Sequence, residues 1–195
     1  MVALMCAEAV ILGTNSKDYQ IYSLGDRIFC CAPSTGIERG IMLEISNQVE
    51  CQYRERGIKP TMDQVRDMLA RKYENVSSEN VLLVGQDRHG PHIYAMKGIG
   101  IPQTLIYAAK GKGRDDIIGY LMHNWKKSLN LAQAEQLVRT CLLVGENDYV
   151  NMCVIYKEKE TWAKAVPQLE PVAIMAYDTE SAFDDMTSMG SNLSN

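Results

Sequence analysis

Apolar residues in this chain follow two alternating rhythms. Val2 to Ala7 and Ala9 to Thr14 are short apolar runs parted only by Glu8, the form of a tight hairpin. Tyr19 to Leu24 (YQIYSL) follows, then a Gly25-Asp26 turn and the β-rich run Arg27 to Ala32 (RIFCCA). The spacing then lengthens. Thr35-Gly36-Ile37-Glu38 has the form of a capping box, and Ile37, Ile41, Ile45, Val49 and Tyr53 recur every fourth residue as one helical stripe. Gly57 ends that helix. Thr61 to Gln64 opens a second helix in the same way, with Val65, Met68 and Leu69 facing inward.

The cycle then repeats. Asn80 to Gln86 (NVLLVGQ) and His92 to Met96 read as strands around the turn Asp87-Arg88-His89-Gly90, and Gln103 to Ala109 as a further strand. Asp115 to Ser128 carries Ile117, Ile118, Leu121, Met122 and Trp125 at helical spacing. Leu131 to Val144 does the same with Ala134, Leu137, Val138, Cys141 and Leu142. Tyr149 to Tyr156 closes as a strand, with Thr161 to Val166 as its expected partner. The order is strands, two helices, strands, two helices, strand. Two stacked antiparallel sheets with a helical pair on each outer face bury every stripe at once. The predicted class is α+β, a four-layer α-β-β-α sandwich. A parallel doubly wound fold fits less well, because single helices do not alternate with single strands.

Composition narrows the function. A length of 195 residues with 46% hydrophobic content supports one sizeable core, and a net charge of −4 argues against a general nucleic-acid binder. The acidity is local: Glu170, Asp178, Glu180, Asp184 and Asp185 fall after Pro167, with no Lys or Arg among them. We therefore expect a domain over 1–166 and an acidic tail over 167–195, disordered or clasping a neighbouring chain through Leu169, Val172, Ile174, Met175 and Tyr177. The six cysteines (6, 30, 31, 51, 141 and 153) form no CxxC pair and stand at no zinc spacing from His89, His92 or His123. They read as buried thiols of a reducing compartment, and neither a metal nor a cofactor is expected. No apolar run reaches membrane-spanning length and no secretory start is visible, so a soluble intracellular protein is expected.

The element order, with the words AVILG (9–13), QIYSLGDRIFCCA (20–32), NVLLVGQD (80–87) and the stretch Gly111 to Trp125, resembles the proteasome-type branch of the N-terminal-nucleophile hydrolases, β-type rather than α-type. That family's mechanism uses a Thr at a free amino terminus whose own amine is the base, tuned by an Asp–Lys pair and oriented by a Ser and an Asp-x-x-Ser-Gly loop. This chain begins Met1-Val2, Thr14 stands at the position of the family's Asp, and Gln20 stands at that of the Lys. Lys112 replaces the Ser of a Gly-Ser-Gly turn. The orienting loop is reduced to Glu146-Asn147-Asp148, and the connection between the second and third strands to Asn15 through Asp18. A neutral amide cannot lower a neighbouring pKa as an ammonium does. The expectation is a non-catalytic subunit with no catalytic residue of its own. Its implied partners are other β and α subunits in stacked heptameric rings, in cytoplasm and nucleus. A divergent or truncated threonine protease and a free-standing sandwich module are the two alternatives.

Three other features offer candidate chemistry. Cys30-Cys31 reads as two strand residues facing opposite sheet faces rather than a nucleophile. His89 and His92 read as solvated turn residues. Lys110, Lys112 and Arg114 read as a surface turn, since their spacing does not match a phosphate-binding loop.

Overall fold

The computed structural model describes residues 1–74, 80–96, 105–143 and 149–157. Among these, eight strands form two antiparallel four-stranded sheets. The first sheet has the order β7-β1-β2-β8, from β1 (Val2–Met5), β2 (Ala9–Thr14), β7 (Tyr107–Ala109) and β8 (Asn151–Tyr156). The second is sequential: β3 (Tyr19–Gly25), β4 (Ile28–Pro33), β5 (Val81–Asp87) and β6 (Gly90–Met96). Four helices complete the described fold: α1 (Gly36–Arg56), α2 (Met62–Tyr73), α3 (Arg114–Asn124) and α4 (Leu131–Leu143).

Side-chain alternation divides the core into three layers. Ala3, Val10, Leu12, Cys31, Leu82, Val84 and Ile93 meet between the sheets. Cys30, Leu83 and Tyr94 point the other way and pack under Met42, Ile45 and Val49 of α1 and Val65 and Leu69 of α2. Val2, Leu4 and Ile11 pack under Leu121 of α3 and Val138, Cys141 and Leu142 of α4. This is the expected α-β-β-α sandwich, and Cys30 and Cys31 do face opposite sides of their sheet.

Several local expectations are corrected. The stripe of α1 predicted at every fourth residue runs off the core at both ends: Ile37 is 67% and Tyr53 43% exposed. Four residues turn a helix by slightly more than one revolution, so a strict four-residue repeat drifts round the cylinder. The buried stripe follows Glu38, Met42, Ile45 and Val49 instead. Glu38 therefore goes inward, and Thr35 caps α1 without a side-chain hydrogen bond. The box predicted for α2 does form, with Thr61 Oγ1 accepting from Gln64 N–H and Gln64 Oε1 accepting from Thr61 N–H. Helix α3 stops at Asn124, four residues short of expectation, because Trp125 turns to an extended conformation and donates its indole N–H to Met5 O at 2.8 Å. Met122, expected inside, is 67% exposed. Cys51 is an exposed thiol, not a buried one. The last strand pairs with β2. Its expected partner over 161–166 lies outside the described residues, as do the start of the predicted 103–109 strand and the acidic tail.

One buried side-chain polar atom is left without a partner among the described residues, the Tyr73 hydroxyl at the end of α2. Burial raises its pKa, with Cys30 and Glu38 adding to the effect. Desolvation without a hydrogen bond costs free energy, so Tyr73→Phe is expected to leave stability unchanged or raise it by up to about 1 kcal/mol. Urea denaturation checks this. A loss of stability would mean that the hydroxyl is satisfied.

Candidate functional site

The residues singled out in the sequence converge partly, at one end of the inter-sheet layer. Ladder β1–β2 pairs Val2 with Gly13, which sets Met1 and Thr14 on neighbouring strands one step further along. Both are buried. On the other side β1 pairs with β7, and the ladder runs on past Val2–Ala109: Met1 N donates to Lys110 O at 3.0 Å and Lys110 N–H to Met1 O at 3.0 Å. Thr14 Oγ1 accepts from Ser16 N–H at 3.4 Å. From the facing sheet, Cys31 enters the same layer, and Tyr19 and Ile21 pack against it.

The electrostatics at this end of the layer are those of desolvated groups. Burial lowers the pKa of the Met1 amino group, an effect partly opposed by Cys31. Burial pushes the Cys31 thiol up to about 12, against the pull of the amino group. Burial likewise raises Tyr19, and Cys31 and Asp18 reinforce the shift. At neutral pH neither the thiol nor the phenol carries charge.

Two of the singled-out residues lie elsewhere. Gln20 is exposed in β3, opposite Ala32. Tyr19 and Ile21 on either side of it pack toward the inter-sheet layer, so alternation sends Gln20 to the opposite face with Tyr22. Lys112 is exposed in the turn before α3, and Arg114 beside it pairs with Asp115 at 3.0 Å. Sequence reasoning missed Lys110, assigned above to a surface turn. It is only 7% exposed and its ammonium donates to Met96 O at 2.9 Å. Its place directly after the apolar Tyr107–Ala109 strand was the available signal. Tyr19 was also missed, though the period-two alternation of YQIY already assigned it a face; Cys31 was read as a strand residue, and it is one. The turn itself needs its glycines: Gly111 and Gly113 take φ of +92° and +79°, conformations that L side chains rarely adopt.

Among the described residues, no cluster of three or more His, Cys, Asp or Glu side chains is arranged to hold a metal, and no helix is long and apolar enough to cross a membrane.

The family model described as proteasome subunit matches residues 1–152. This chain belongs to the proteasome subunit family. Its relatives carry β-type names and are distant. Proteasome subunit beta type-10 of Rattus norvegicus is 20% identical over 176 residues, 80% of this chain and 64% of the rat protein. Proteasome subunit beta type-7-A of Arabidopsis thaliana is 21% identical over 192 residues, 88% of this chain and 70% of that protein. Probable proteasome subunit beta type-2 of Schizosaccharomyces pombe is 24% identical over 165 residues, 80% of this chain and 61% of that protein. The chain thus spans just under two thirds of the rat relative's length.

Proposed function

We propose that this chain is a non-catalytic β-type subunit of a proteasome core particle, an architectural member of a protease ring that assembles with other β and α subunits and serves protein degradation. Within the ring, the words NVLLVGQD and HIYAM favour the beta type-2, or fourth β, position. The expected setting is cytoplasm and nucleus.

The observation that carries this reading is the character of the groups around the head of β1. Activating a hydroxyl nucleophile takes a carboxylate–ammonium pair that sets proton affinities across a few ångströms. Here the neighbouring strand offers the neutral Thr14 hydroxyl, and the facing sheet offers a thiol held neutral by burial with a pKa of about 12. The Lys110 ammonium is engaged at Met96 O, and both Gln20 and Lys112 are exposed. A nucleophile placed at the head of β1 would lack its partners, and nucleophile and partners act as a unit. The tail over 167–195 is proposed to clasp a neighbouring subunit.

The test is native purification of the tagged chain followed by treatment with a threonine-directed epoxyketone. The expected result is recovery in a very large multi-subunit particle, with no adduct on this chain. A covalent adduct here would make it an active protease subunit, and recovery as a lone monomer would remove it from the ring.

A further inference from the structure

A second set of buried polar groups lies in the helix layer over the second sheet, at the start of α1. Glu38 stands one turn before Met42 on the buried stripe of α1 and is 6% exposed. A carboxylate so placed ordinarily holds a hydrogen-bond donor or an ion-pair partner. Among the described residues Glu38 has neither, and the capping box predicted at Thr35 does not form. Arg39, the next residue, is exposed and stands about 100° further round the helix, and adjacent helical residues do not face each other. The cations at the end of α2 are engaged elsewhere: Lys72 is ion-paired with Glu44 of α1, and Arg71 donates to Asp67 O at 3.3 Å.

The groups around Glu38 do not complete it. The Tyr73 hydroxyl is itself buried without a partner, and Glu38 adds to the pKa rise that burial and Cys30 impose on it. Tyr22 of β3 packs half-buried in the same layer as Tyr73, Met42 and Cys30. Burial raises its phenol pKa; Arg39 opposes the rise, while Cys30 and Glu38 add to it. The Tyr22 hydroxyl reaches Pro33 O at 3.5 Å rather than the carboxylate. Cys30 is held as a neutral thiol by burial. The Tyr73 hydroxyl is fully enclosed, but the Glu38 oxygens are not among the enclosed atoms, so the carboxylate keeps contact with the surface. Ile37, beside it in sequence, is 67% exposed.

We propose that Glu38 is the seat of a cationic side chain, lysine or arginine, carried by a partner protein that docks at the start of α1 and forms this ion pair on assembly. Charge complementarity fixes the class of occupant. A nearly buried carboxylate is costly alone and is offset by an opposite charge that also donates hydrogen bonds. An apolar partner side chain would leave that cost in place, and an acidic one would raise it. A metal ion matches less well, since hard cations take several oxygen ligands and Glu38 is a single carboxylate. The Tyr22 ring adds an aromatic face of the kind that attracts ammonium and guanidinium groups. The exposed Ile37 offers the apolar contact that keeps water from such a pair. The inference rests on the reading of this chain as an assembling subunit.

Glu38→Gln separates this role from a structural one by the sign of two measurements. The urea midpoint of the free full-length chain is expected to stay or rise, because the variant removes an unpaired, nearly buried charge. Incorporation is read by letting differently tagged variant and wild-type chains compete for the natively purified particle. It is expected to fall on the order of ten-fold. Glu44→Gln removes the same charge from the exposed pair with Lys72 on the same helix and is expected to leave incorporation unchanged. Carbodiimide labelling of carboxylates needs no substitution: Glu38 of the wild-type chain is expected to react when free and to be shielded, or joined to a partner lysine, in the particle. Equal incorporation of Glu38→Gln, an equal loss for Glu44→Gln, a lower urea midpoint, or labelling unchanged by assembly would each overturn the inference and leave the chain in its ring. Recovery of the wild-type chain as a lone monomer would instead withdraw the ring reading, and the partner with it.

Discussion

Gly85→Ala is expected to destabilise the fold by about 3 kcal/mol, at the upper end of what a small overpacking change costs. A Cβ on Gly85 would stand 2.6 Å from Arg27 O, 2.7 Å from Met62 Sδ and 3.1 Å from Ile28 Cα. Two of those three atoms are backbone. Arg27 O cannot withdraw, because it accepts from Gln86 N–H at 3.0 Å and Arg27 itself is held at φ 64° in the β3–β4 turn. Two comparisons sharpen the expectation. At Gly13 a Cβ would meet only side chains, the nearest being Leu142 Cδ1 at 2.7 Å, so Gly13→Ala is expected to cost less. At Gly119, within α3, the added methyl meets nothing within 4 Å, so Gly119→Ala is expected to stabilise by roughly 0.5–1 kcal/mol through helix propensity. Denaturant midpoints at unchanged m-values measure all three. Equal effects at positions 85 and 13 would refute the idea that the backbone contact sets the cost.

Leu82→Ala is the second large effect, with an expected loss of about 3 kcal/mol. Leu82 is fully buried between the sheets and is paired with Cys31 on one side and Ala95 on the other. Deleting a buried leucine to alanine typically costs 2–5 kcal/mol, of which the cavity is a large part. Both faces of this cavity would be sheet, and two hydrogen-bonded sheets collapse onto a void less readily than a helix does. The same truncation at the exposed Met122 is expected to fall within about 0.5 kcal/mol of zero. A loss at position 82 below about 1 kcal/mol would show that the inter-sheet layer can close around a void.

The class and layering of the fold were legible because strand and helix rhythms alternate in blocks, and each block carries its own periodicity. The inward set of α4 was read completely: Ala134, Leu137, Val138, Cys141 and Leu142 are all buried. The errors share a physical origin. Periodicity finds a stripe but not its ends, so Ile37, Tyr53 and Met122 were assigned to a core that does not extend over them. Likewise, nothing local in the sequence shows that the Trp125 indole will find Met5 O, 120 residues away, and end α3 there. The candidate site was legible at Met1 and Thr14, which strand register alone sets side by side. It was less so at Gln20, whose motif position says nothing about its face, and at Lys110, whose ammonium finds its acceptor in a different strand. His92, read as a solvated turn residue, lies instead within β6 with its side chain 15% exposed, between Asp87 Oδ1 and the Tyr94 hydroxyl, while His89 is exposed as expected. Nothing local in the turn shows that Asp87 will accept from the Met62 N–H at the start of α2.

The distribution of thiols has a practical consequence. Cys51 alone among the described cysteines lies open to solvent, while Cys30, Cys31 and Cys141 sit in three different layers of the sandwich. Burial pushes the thiols of all three upward, so an alkylating reagent meets a reactive thiolate there only after the surrounding layer parts. Nature has thus installed a chemical stopwatch in each stratum, and the order in which peptides gain mass would chart how the sandwich comes apart without any engineered probe.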